Sequence, residues 1–185
     1  MANKLKISEL KSHLNELNQK ELINLITELQ KYSKDAETYL SVKFLGEAAI
    51  QEQHKQAKKE ILDEFFPQKG FGKLRLTNAK KAITNFKKLT QDLYLTTDLM
   101  IYYVEVGTEF TNTYGDIDLR FYNSLLSMYE KAIQECERDR ALYENFKNRL
   151  STIVHEASGI GWGYHDELED LFYSNKYELE EEHEN

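Results

Sequence analysis

Apolar residues recur along this chain at spacings of three and four, and no stretch shows sustained period-two alternation. That spacing lines one face of a helix. Leu10, Leu14 and Leu17 form the first stripe, in a short helix opening at Ser8. Leu22, Leu25, Ile26 and Leu29 form the second, preceded by Asn18-Gln19-Lys20-Glu21, which has the form of a capping box. Ser33 or Asp35 starts a third piece through Tyr39, Leu40 and Phe44 to Gly46. From Gln51 to Glu60 the chain is nearly all hydrophilic, so a helix over Glu47–Phe66 is expected to be solvated along most of one face.

Pro67 must end that helix, since it cannot continue the hydrogen-bond ladder. A loop to Thr77 follows, and Thr77 or Asn78 is expected to cap a helix facing inward with Ala79, Ala82, Ile83 and Phe86. Thr90 is the expected cap of the next helix, which runs to about Tyr114. Its stripe of Leu95, Leu99, Tyr102, Tyr103, Val106 and Phe110 makes it the central strut, and Gly107 within it marks a close helix crossing. Tyr114 to Asp118 is a turn and cap. Tyr122, Leu125, Leu126, Tyr129, Ile133 and Cys136 define the next helix, and Leu142, Phe146, Leu150, Ile153 and Val154 the one after. Leu168, Leu171 and Phe172 define the last. The pattern predicts an all-α fold of about nine helices in stacked antiparallel pairs, solenoid-like at its N-terminal end. One domain over 1–177 is expected, followed by an acidic, disordered tail over 178–185.

Between the last two helices lies Ser158-Gly159-Ile160-Gly161-Trp162-Gly163, with Tyr164 to follow. Glycine permits positive φ and close backbone approach, so three in five positions mark a path that side chains would obstruct. Gly159 suits a left-handed cap, and Trp162 is expected to anchor the turn on the core.

Charge changes this picture in one place. Phe65 to Gln91 contains no acid and seven bases, +7 within a net charge of −8, so the remainder carries −15. Lys69, Phe71, Lys73, Arg75, Lys80, Lys81, Lys87 and Lys88 together form a basic island with an aromatic, the chemistry of phosphate contact and base stacking. A solvated lysine face is the alternative. Composition excludes other classes. Cys136 is alone, so no internal disulfide forms, which fits a cytoplasmic protein. No apolar run is long enough to span a bilayer, and no membrane partner is expected.

Three further constellations carry chemistry. His155-Glu156 and His165-Asp166-Glu167 flank the glycine turn, and His155, His165 and Asp166 are metal-ligand types, though their spacing fits no zinc pattern. Glu105, Glu109, Asp116 and Asp118 are oxygen ligands that match no twelve-residue calcium loop. Twelve tyrosines at helical spacing are expected at the rim of the core. No phosphate-binding Gly-x-x-x-x-Gly-Lys-Ser/Thr loop and no Gly-x-Ser-x-Gly elbow occurs, so no cofactor and no catalytic residue is assigned.

Three stretches resemble an uncharacterised bacterial family, a domain of unknown function. They are the Phe65-Phe66-Pro67 loop running into LTNAKKAITNFKKL, then YYVEVGTEFTNTYGDIDLRFYNS, then ASGIGWGYHDELEDLFY with its SGIGWG-Tyr-His-Asp-Glu-Leu signature. The resemblance covers about Leu5 to Tyr173 and implies a cytoplasmic bacterial setting and one all-helical domain. No activity comes with it.

The leading functional expectation is a protein-binding scaffold acting through helix faces. The alternatives are nucleic-acid binding through the basic island, and an enzyme or metal site around His155 and His165. Trp162 and His165 join the basic residues as candidate binding positions.

Overall fold

The computed structural model describes residues 4–183, with side chains to Leu179. Ten helices carry the regular structure: α1 (Ile7–Asn15), α2 (Gln19–Tyr32), α3 (Lys34–Leu45), α4 (Glu47–Phe65), α5 (Leu76–Thr90), α6 (Leu93–Tyr114), α7 (Leu119–Cys136), α8 (Arg140–Glu156), α9 (Tyr164–Tyr173) and α10 (Lys176–His183). No strand occurs among the described residues, so the fold is all-α. The chain falls into two compact units, Met1–Ala49 and Ile50–Asn185.

In the first unit the expected caps form. Asn18 Oδ1 accepts from the Glu21 N–H at 3.1 Å, and Glu21 Oε2 accepts from the Asn18 N–H at 2.8 Å. Ser33 Oγ accepts from the Ala36 N–H and starts α3. Helices α2 and α3 pack on each other. Yet none of α1, α2 or α3 contains a buried residue.

In the second unit α6 is the strut. Fourteen of its 22 residues are buried, which marks a helix covered on several sides. It packs against α5, α7 and α8, while α9 closes on α7 and α8. At Gly107 an added Cβ would collide with the Leu125 side chain of α7, so the glycine permits the close crossing. Phe65, Tyr103, Phe110 and Phe121 meet edge-on or tilted at centroid distances of 5.6 to 6.3 Å around this strut.

Several local expectations shift. Helix α5 begins at Leu76, before Thr77 and Asn78. Asn78 is instead drawn to Glu64, whose carboxylate also takes two bonds from the Arg75 guanidinium at 2.8 and 3.0 Å. Thr90 belongs to α5, and Asp92 caps α6 by accepting from the Leu95 N–H at 2.8 Å. Trp162 is 53% exposed, so it is not the anchor of the glycine turn. Its neighbour Tyr164 is: it is fully buried, shares a 2.8 Å hydrogen bond with Thr108 and lies against the Tyr122 ring. The reason is local geometry. Trp162 and Gly163 both have left-handed φ, of 64° and 70°, and the chain turns before the first residue of α9 reaches the core.

The tenth helix runs into the stretch expected to be an acidic, disordered tail. Asn175 Oδ1 accepts from the Tyr177 and Glu178 N–H groups and so starts it. Glu178 accepts from the Tyr143 hydroxyl and pairs with Lys147 at 2.9 Å. The side chains of Glu180, Glu181 and Glu182, and Glu184 itself, lie outside the described residues.

Candidate interaction surface

Inside the second unit the strongest polar feature is centred on Asp98 of α6. Asp98 Oδ2 meets His54 Nε2 at 2.6 Å and Lys58 Nζ at 2.9 Å, both from α4. Its Oδ1 meets Arg149 Nη1 of α8 at 2.5 Å. Arg149 also grips both oxygens of Glu105 at 2.7 Å. Burial by itself would raise the Asp98 carboxyl, but hydrogen bonds and charge from Lys58 and Arg149 hold it below its ordinary value. The network ties α4, α6 and α8 together with every acid paired. It is a clamp, and it offers no open ligand position. Sequence spacing does not mark these residues as a set, because His54 sits in the hydrophilic stretch expected to be solvated. The available signal was His54, Ala57, Ile61 and Phe65 at helical spacing, facing an aspartate within the most apolar helix.

The basic island is partly neutralised. Arg75 is committed to Glu64, and Lys87 pairs with Glu135 at 2.9 Å. Lys69, Lys73, Lys80, Lys81 and Lys88 make no ion pair among the described residues. The helical repeat places Lys80, Lys81, Lys87 and Lys88 on one arc of α5, away from Ala79, Ala82, Ile83 and Phe86. Phe71 is exposed and packs edge-on to the exposed Tyr114, their ring centroids 4.8 Å apart. A Cβ at Gly72 would collide with the Phe65 carbonyl, so the loop lies hard against the end of α4 and presents Phe71 outward.

The glycine turn packs on the α6–α7 corner. A Cβ at Gly161 would stand 2.9 Å from Asp116 Oδ2. Asn112 Nδ2 donates to the Glu156 carbonyl at 2.8 Å. His155 is exposed, and His165 Nδ1 lies 3.4 Å from Asp166 Oδ1. Among the described residues no three metal-ligating side chains come together there or elsewhere. The four acids near the end of α6 disperse as well. Glu105 is held by Arg149, Asp116 accepts from the Tyr122 hydroxyl, and Asp118 caps α7. Cys136 is buried, and burial pushes its thiol up to about 12, which leaves it inert.

The first unit is where apolar chemistry meets solvent. Among the described residues, eleven large apolar side chains between Leu5 and Leu45 are exposed, against eight in the whole second unit. Ile7 is 74% exposed, Phe44 79% and Tyr32 92%. On α2 the exposed Leu25, Ile26 and Leu29 continue the stripe begun by half-buried Leu22. Asn24 and Lys31 fall on the opposite, polar side of that helix. Scattered exposed leucines are ordinary, whereas a helix stripe with no buried member is an apolar surface left to solvent.

These helices and this distribution of surface define an all-α protein with an uncovered helical face. The chain belongs to the family described as "Family of unknown function (DUF6155)", whose model matches residues 5–177. No curated protein matches the chain, and no solved structure does. No described helix is long and apolar enough to cross a membrane.

Proposed function

We propose that the chain is a protein-binding helical module whose binding face lies on α1–α3. The observation that carries this reading is that three consecutive helices bury no residue, although α1 and α2 bear apolar stripes. Fewer than about 50 residues without a core cannot offset the entropy of their own ordering, so such a unit gains stability from a partner. The lone buried thiol of Cys136 suits a reducing, cytoplasmic setting. The test is photo-crosslinking in the native cell, with a benzophenone side chain at position 26 and, separately, at position 24. Protein adducts identified by mass spectrometry from position 26 alone support the reading. Adducts from neither position, or equally from both, overturn it.

A second reading, nucleic-acid binding at the basic loop, is favoured by the exposed Phe71–Tyr114 pair beside Lys69 and Lys73. Stacking and phosphate contact together make affinity fall steeply with salt. Fluorescence polarisation with labelled single-stranded RNA at several salt concentrations tests it. Salt-sensitive binding lost in Phe71→Ala supports it, and no binding at low salt removes it.

A further inference from the structure

We infer that the occupant of the α1–α3 face is a second copy of this chain. The inference rests on the protein-binding reading and adds the partner to it.

Three features point to self-association. The first is charge. Residues 1–49 contain seven Lys and seven Asp or Glu, so this unit is neutral while the whole net charge of −8 lies in residues 50–185. Two copies of a neutral face meet without net repulsion. A strongly charged partner gains nothing from it.

The second is the pattern. Leu22, Leu25, Leu29 and Tyr32 follow the three-four spacing of a heptad seam, and Ile26 widens it. Such a seam is complemented by another of the same kind, with knobs entering the spaces between facing side chains. The chain itself carries that complement at matched length. A two-fold axis then lets each residue serve on both sides of the interface.

The third is size. On α2 alone Leu25, Ile26, Leu29 and Tyr32, 42 to 92% exposed, offer on the order of 500 Å², so two copies bury about 1,000 Å², the size at which a specific interface begins.

The experiment uses the full chain. Sedimentation equilibrium from about 1 to 100 μM, the micromolar range in which standard-size interfaces assemble, is expected to give twice the chain mass of 21.8 kDa. Leu25→Glu with Ile26→Glu is expected to return a monomer, while the charge-conserving Asn24→Gln with Lys31→Arg on the opposite side leaves the dimer. Because the first double variant can lose α2 altogether, a second route is needed. Cys136 is buried and is the chain's one cysteine, so Ile26→Cys adds a single accessible thiol. Under mild oxidation it is expected to give a disulfide-linked dimer, and Asn24→Cys is not.

A wild-type chain that stays monomeric throughout, with no linked dimer from position 26, overturns the inference. If position 26 then crosslinks to a different, identified protein, the protein-binding reading stands and only the homotypic partner is wrong. If it crosslinks to nothing, both fall.

Discussion

Helices α2 and α6 both carry long apolar stripes, yet one buries fourteen residues and the other none. The difference lies in their neighbours. Helix α6 has α5, α7 and α8 around it, whereas α2 packs on α3. An apolar stripe becomes core only when another element removes it from water. The second unit therefore has a filled interior fastened by polar clamps. The first is held by caps and local turns, and presents its apolar residues outward.

Removing the clamp should separate the two units most sharply. Asp98→Ala leaves Arg149, Lys58 and His54 facing a lost partner, and is expected to cost about 3–5 kcal/mol. Urea unfolding of the full chain measures it. Leu25→Ala with Ile26→Ala, unfolded the same way in dilute solution, should move that transition by less than about 0.5 kcal/mol. Equal losses from both would erase the contrast between filled and open units.

Next in size is the α6–α7 crossing. Gly107→Ala puts a Cβ into the Leu125 side chain and should destabilise by about 1–3 kcal/mol. Leu125→Ala should recover part of the Gly107→Ala loss in a double-mutant cycle. Strict additivity would show that the helices do not meet as closely as described.

Acid supplies a graded version of the clamp test. The folded Asp98 carboxyl is held below its unfolded value, so its contribution is complete above the unfolded carboxylate value of about 4. It is lost as pH falls through the folded value. Stability should decline below about pH 4, and Asp98→Asn should flatten that decline. A titration of urea midpoints against pH checks the slope; an unchanged slope in the variant would assign the acid sensitivity elsewhere.

The smallest effect belongs to the first unit. Asn18→Ala removes the cap of α2 and should cost about 1 kcal/mol there alone. Hydrogen exchange should speed up in the α2 amides and stay constant in α6. A matching change in α6 would mean that the two units open together.

Much of the helical register was readable in advance. The Asn18–Glu21 box, the Ser33 cap and the Gly107 crossing all depend on residues close in sequence or on one glycine in an apolar stripe. The clamp was not readable as a set, because His54 and Arg149 reach Asp98 from 44 and 51 residues away. Glu64 was hidden for a related reason. Its charge is matched by Arg75 and Asn78, eleven and fourteen residues on, across the loop after Pro67.

The sequence by itself determined that this protein is helical, where its stripes run and that its charges are divided unevenly along the chain. Periodicity, capping and charge are properties of neighbouring residues, and they survive without knowledge of the fold. Only the tertiary structure decided which stripe is covered, that Tyr164 and not Trp162 holds the glycine turn, and that the basic island gives Arg75 and Lys87 to internal acids. Burial and ion pairing depend on what approaches from elsewhere in the chain, and distance along the sequence carries almost no record of that.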